Sequence, residues 1–192
     1  MSFFGRLFGS NPEESCEEGL AALDRRDFES ATRAFTTCLE SSNRESTVRL
    51  ARFHLAECHT QLAESAWTRG EYARARDEIE VALSYAHPTA ERHLIAAQIA
   101  RRIDDRADAA YHLEAALQRS PGHEQALALQ ALGWYEEGRV EGALANAEAL
   151  LLIDGRAARF REAHARGDKD AAKAHLLAVA TGFPQSLVQP RR

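Results

Sequence analysis

"RGEYARARDEIEVALSYAHP", residues 69 to 88, and "DDRADAAYHLEAALQRSP", residues 104 to 121, carry one pattern twice. Each opens with a charged or glycine-containing turn. A small residue follows, Ala75 or Ala109, and a large apolar one stands four places later, Ile79 or Leu113. Three places further on comes Ala82 or Ala116. Spacings of i, i+4 and i+7 put these three on one face of a helix. The small residue allows a neighbouring helix to approach closely, and the larger ones fill the space beside it.

The pattern extends outward from there. Residues 25 to 43, 137 to 155 and 166 to 184 follow the same plan, anchored on Ala31, Ala143 and Ala172. Phe35, Ala147 and Leu176 take the second place in these stretches, and Cys38, Leu150 and Val179 the third. A further small residue stands twelve places before the anchor at Gly19, Ala63, Ala97 and Ala131, marking a close crossing on the preceding helix; the last unit has Phe160 there. The anchors are 44, 34, 34 and 29 residues apart. The long interval, with no breaker from Glu45 to Arg69, predicts one lengthened helix bearing Val48, Leu50, Phe53 and Leu55 as extra apolar surface. The short interval predicts an abbreviated helix around Ala157 to Ala165. Pro88 and Pro121 disfavour helix at the residue before each, and Gly155 and Gly167 suit tight links between helices.

Composition agrees. Of 192 residues, 45% are hydrophobic, 28% charged and only 7% aromatic, a folded and alanine-rich balance that favours helices over sheet. No apolar run approaches the roughly 20 residues of a membrane span. The apolar start is too short for a secretory signal. Cys16, Cys38 and Cys58 are odd in number and form no CxxC, which argues against a disulfide framework and for a cytoplasmic protein. Charge is uneven: residues 11 to 30 hold seven acids against two arginines, and residues 155 to 192 hold eight bases against three acids. Such ends either steer partners or favour head-to-tail contacts, with salt-sensitive strength, or are simply solvated helix faces.

Two successive intervals of 34 residues on a helix–turn–helix plan resemble the tetratricopeptide repeat (TPR) family. Gly70-Glu71-Tyr72 and Gly138-Arg139 at the turns, with Pro121 and Pro184 at helix ends, carry the likeness. It implies an all-α fold, a right-handed α-solenoid of four to five repeats over residues 13–184. The units fall at about 13–43, 45–88, 89–121, 122–155 and 156–184, with an apolar tip at 1–12 and a tail at 185–192. It also implies that the first helices line a concave groove for a peptide or protein partner. By register that groove holds Glu57, Thr60, Glu64, Trp67 and Thr68 from the second unit. Leu94, Gln98, Arg101 and Arg102 come from the third, and Gln125, Ala128, Leu132 and Tyr135 from the fourth. Aromatic residues and arginine dominate interface energetics, so Trp67, Tyr135, Arg101 and Arg102 are the natural anchors. Trp67 fits a core position equally well, and Trp134 faces the second helix of its unit. Family members that clamp the C-terminal carboxylate of heat-shock chaperones use Lys and Asn; the matching places here hold Cys16 and Leu20, which disfavours that ligand.

Other chemistry is thinly supported. There is no phosphate loop, GxSxG, HExxH or dinucleotide fingerprint, so no enzyme and no cofactor are expected. His54, Cys58 and His59 make the best metal cluster, but a structural zinc site wants four ligands. Core packing for Cys58 and a helix edge for the histidines fit better. His59 and His93 occupy equivalent places in successive units, which suggests packing between paired helices. Arg156, Arg159, Arg161, Arg166, Lys169 and Lys173 form the only basic patch, with Phe160 as its single aromatic, and the net charge is −5; nucleic acid is not the expected partner. The expected role is a scaffold or adaptor that assists assembly of a larger complex. A second reading is a membrane-peripheral or complex-anchored subunit docking through Phe3, Phe4, Leu7 and Phe8, a weak anchor with one Arg. A secretion-type chaperone is a third.

Overall fold

The computed structural model describes residues 11–85, 88–151 and 157–180. Among these, all regular structure is helical. The helices are α1 (Pro12–Asp24), α2 (Phe28–Ser41), α3 (Glu45–Thr68), α4 (Tyr72–Tyr85), α5 (Ala90–Arg102), α6 (Arg106–Arg119), α7 (Glu124–Glu136), α8 (Val140–Leu151), α9 (Ala157–Ala165) and α10 (Lys169–Ala180). None is long and apolar enough to cross a membrane. The apolar residues Phe3, Phe4, Leu7 and Phe8 lie outside the described residues.

Contacts divide the chain into two compact units, Met1–Pro88 with α1 to α4 and Thr89–Arg192 with α5 to α10. Within each, successive helices pack as antiparallel pairs joined by turns of one geometry. A residue with positive φ stands in every such turn: Arg26 (58°), Gly70 (77°), Asp104 (67°), Gly138 (79°) and Gly167 (77°). Their spacing repeats that of the anchor alanines. The next residue donates its N–H back five places, as Glu71 does to Ala66 (2.9 Å) and Arg139 to Trp134 (2.7 Å). This is the left-handed helix stop that satisfies the last carbonyls of the helix. Where the following residue is Asp it starts the next helix as well. Asp27, Asp105 and Asp168 each accept a backbone N–H three residues on, at 3.0–3.1 Å.

The repeated apolar positions form the cores. The five anchor alanines and their i+4 and i+7 partners are all 4% exposed or less. Gly19 has the close approach its place demands: a Cβ there would stand 2.8 Å from the Phe35 ring, which is itself fully buried. Burial of a phenylalanine such as Phe35 contributes about 2–3 kcal/mol. α3 runs 24 residues without a break, and α9 is the short helix that the 29-residue interval predicts.

Two features depart from the sequence-based expectations. Cys16 and Cys38 form a disulfide that ties α1 to α2. Cys38 is the third repeated core position of α2, and pairing antiparallel helices brings Cys16 opposite it; a linear spacing of 22 residues gives no hint of this. A disulfide is characteristic of an oxidising compartment, so the cysteines do not support the cytoplasmic expectation drawn from their number. Second, α7 to α10 close on themselves: α7 packs on α8, α8 on α9, α9 on α10, and α10 back on α7. Tyr135 and Phe160 meet edge to face inside this ring, with centroids 5.4 Å apart.

Candidate partner-binding surface

In the first unit, α3 presents one stripe that its neighbours leave exposed or only partly covered. Leu50, Phe53, Glu57, Gln61, Glu64 and Thr68 recur at three- and four-residue steps and so lie along one side of the helix. Leu50 is 44% exposed and Phe53 54%, while Ala51, Leu55, Cys58 and Ala66 on the opposite side are fully buried. The stripe spans roughly 27 Å at 1.5 Å per residue. It is apolar at its start and acidic further along. The half-buried Glu64 carboxyl has its pKa raised, first by burial and then by the neighbouring charge of Glu57. Burial lowers the pKa of His54, against a smaller opposing effect of Glu57. A cationic group beside the Glu64 carboxyl favours its charged form.

Three of the five residues expected in the groove here, Glu57, Glu64 and Thr68, lie on that stripe. The other two do not. Thr60 is buried, its hydroxyl donating to the Ala56 carbonyl (2.7 Å), and Trp67 is 7% exposed, edge-on to Tyr72 at 5.3 Å. Leu50, Phe53 and Gln61 complete the stripe instead. Leu50 and Phe53 are two of the residues expected as extra apolar surface of the lengthened helix, whereas Leu55, expected with them, is fully buried.

In the second unit the expected groove residues are largely covered. Leu94 is fully buried and Gln98 nearly so; Leu132 and Tyr135 are 3% and 7% exposed. The cause for α7 is the closed ring: Leu132 and Tyr135 share a core with Phe160 of α9 and Leu176 of α10. The Tyr135 hydroxyl is also 3.1 Å from His164 Nδ1. Ala128 is buried in a core with Val179 and Ala180 of α10. Gln98 and Gln125 each hold a buried side-chain oxygen with no hydrogen-bond partner among the described residues. Arg101 and Arg102 keep partial exposure, and Arg101 reaches α7 to pair with Glu136 at 3.6 Å.

The histidines serve the helix pairs. His59 Nδ1 lies 2.7 Å from Glu78 Oε2 across α3 and α4, and His93 Nδ1 lies 3.0 Å from His112 Nδ1 across α5 and α6. The equivalent place in the next pair is held by Asn146, which donates to the Leu127 carbonyl (3.4 Å) and to Gln130 (2.8 Å). Cys58 is buried, its thiol pushed up to about 11 by burial, and His54 stacks on Phe35 at 4.8 Å. Among the described residues no three His, Cys, Asp or Glu side chains are grouped to hold a metal ion. Of the basic patch, Arg156 lies outside the described residues; Arg159, Arg161, Arg166 and Lys169 are exposed, Lys173 partly so, and Arg161 pairs with Glu148 at 3.7 Å.

No family model matches the chain, and no curated protein does. Solved structures match along most of its length. The crystal structure of MamA protein superposes with a TM-score of 0.57 at 17% identity, covering 91% of this chain and 92% of that one. A second MamA structure gives 0.55 at 18%, covering 85% and 92%. YrrB, described as a TPR protein with an unusual peptide-binding site, gives 0.56 at 14%, covering 94% and 97%. At such identities the likeness establishes the fold: all-α, in the α-solenoid class of TPR-like helix pairs.

Proposed function

We propose that this chain is a non-enzymatic scaffold that binds a protein or peptide partner on the uncovered faces of its first helices and assists assembly of a larger complex. The α3 stripe carries this reading. Among the described residues of the first unit, the exposed apolar side chains Leu50 and Phe53 continue along α3 into two carboxylates, Glu57 and Glu64, whose charges act on each other. An extended or helical segment with apolar residues followed by Lys or Arg complements it. The fold supports the reading, since YrrB, of the same fold, is described as having a peptide-binding site. The test is affinity capture with the intact chain and with a Glu57→Lys, Glu64→Lys variant of equal helicity. Proteins held by the wild type and released by the variant support the reading. An identical set on both overturns it.

The membrane-peripheral reading rests on Phe3, Phe4, Leu7 and Phe8. Vesicle flotation separates it: the full chain is expected to behave like a chain beginning at Asn11, and vesicle binding by the full chain alone favours the membrane.

A further inference from the structure

In the second unit a cavity of about 80 Å³ opens between the end of α5, the start of α6 and the α7–α8 turn. Three arginines line it, Arg101, Arg106 and Arg139, against a single lining carboxylate, Glu137. Trp134 forms one wall. Its ring packs against α8, where a Cβ on Gly142 would come within 2.8 Å of it, and the Arg139 guanidinium stands over it at 4.8 Å from the centroid. Ala109, Ala110 and Leu113 supply an apolar part of the lining.

Long ion pairs run from the three guanidinium groups, Arg101 to Glu136 (3.6 Å), Arg106 to Asp104 (3.8 Å) and Arg139 to Glu137 (3.7 Å), and for Arg101 this is one contact among others. Ion pairs of this length between solvent-accessible groups are weak. A planar two-oxygen anion inside the cavity exchanges them for short, charge-assisted hydrogen bonds to the same donors. The cavity holds roughly five water-sized volumes, enough for the end of one side chain. Three satellite acids make it a poor host for a dianion and a fair one for a single negative charge.

We propose that this pocket receives the carboxylate of an acidic side chain of a protein partner, with its methylene carbons against Leu113 and the edge of the Trp134 ring. The proposal rests on the partner-binding reading above but involves different residues and a different helix pair. The test follows the two tryptophan indole N–H resonances of the ¹⁵N-labelled full chain during titration with N-acetyl-Ala-Glu-Ala-amide. The Trp134 signal is expected to move and saturate while Trp67 stays in place. The glutamine peptide is expected to leave both unmoved at the same concentration. Arg106→Gln and Arg101→Gln, with their tryptophan signals otherwise in place, should each weaken the response about tenfold. An equal response to the glutamine peptide, no response up to the solubility limit, or undiminished binding by both variants overturns the proposal. So does inorganic phosphate moving Trp134 more strongly than the glutamate peptide. Because no partner is present, a failed capture through α3 leaves this result standing, and a failed titration leaves the α3 result standing.

Discussion

Gly19 and Gly70 are both glycines for physical reasons, but different ones. At Gly19 the limit is space, because a methyl group would press into the buried Phe35 ring. Gly19→Ala is therefore expected to destabilise by about 1–3 kcal/mol, the range for overpacking a core. At Gly70 there is open space and the limit is φ of 77°; Gly70→Ala should cost about 1 kcal/mol. Urea titrations of the two variants, read by circular dichroism, check the order. His93 makes a third single-residue prediction. Burial, with smaller contributions from the Arg119 charge and His112, pushes its pKa down to about 4. Asp108 stands on the far side of His112, at 3.5 Å from Nε2. The folded protein thus keeps His93 neutral where the unfolded chain, with a histidine pKa near 6.5, takes up a proton. Stability is full above about pH 6.5 and falls as the pH drops toward 4, by an amount of order 3 kcal/mol. His93→Leu, matching the equivalent Leu127, should flatten that part of the stability–pH curve; an unchanged slope would place the effect elsewhere.

At the scale of elements, α3 shows how a local insertion becomes an exposed surface. Ten residues beyond the usual repeat lengthen the helix, and the extra turns carry Leu50 and Phe53 without a neighbour to bury them. Leu50→Ser with Phe53→Ser is expected to change stability by less than about 1 kcal/mol, since exposed side chains lose little burial. The same change should weaken partner capture; a large fall in melting temperature would mean that this end of α3 is covered after all. Helix starts make the contrasting case. Asp105 caps α6 through Asp108 N–H at 3.1 Å, so Asp105→Ala should cost about 1 kcal/mol even though the side chain is only half-buried. Thermal melts of these variants distinguish the two kinds of position.

At the scale of the whole molecule, the Cys16–Cys38 bond belongs to the unit Met1–Pro88 alone. By loop-closure entropy a bond of this span contributes roughly 3 kcal/mol. Reduction should therefore lower hydrogen-exchange protection in α1 and α2 while α5 to α10 keep theirs. Thiol counting without reductant should find no reactive thiol in the native chain and one, Cys58, in denaturant; three in denaturant would refute the bond. What the sequence alone determined was everything that repeats. The turn residues, the anchor alanines with their i+4 and i+7 partners, and the lengthened and shortened helices follow from local propensity and helical period, which act over a few residues wherever they occur. Most of the α3 stripe was legible on the same grounds, Glu57, Glu64 and Thr68 through the groove register and Leu50 and Phe53 as extra apolar surface of the lengthened helix. The tertiary structure decided what covers each face. Leu132 and Tyr135 have the periodicity of groove residues and are buried because α9 and α10 fold over α7. Cys16 meets Cys38, and Arg101, Arg106 and Arg139 gather beside Trp134, only because helices distant in sequence pack side by side. Periodicity fixes the side of a helix on which a residue stands; only the neighbouring helix fixes whether that side meets water, core or partner.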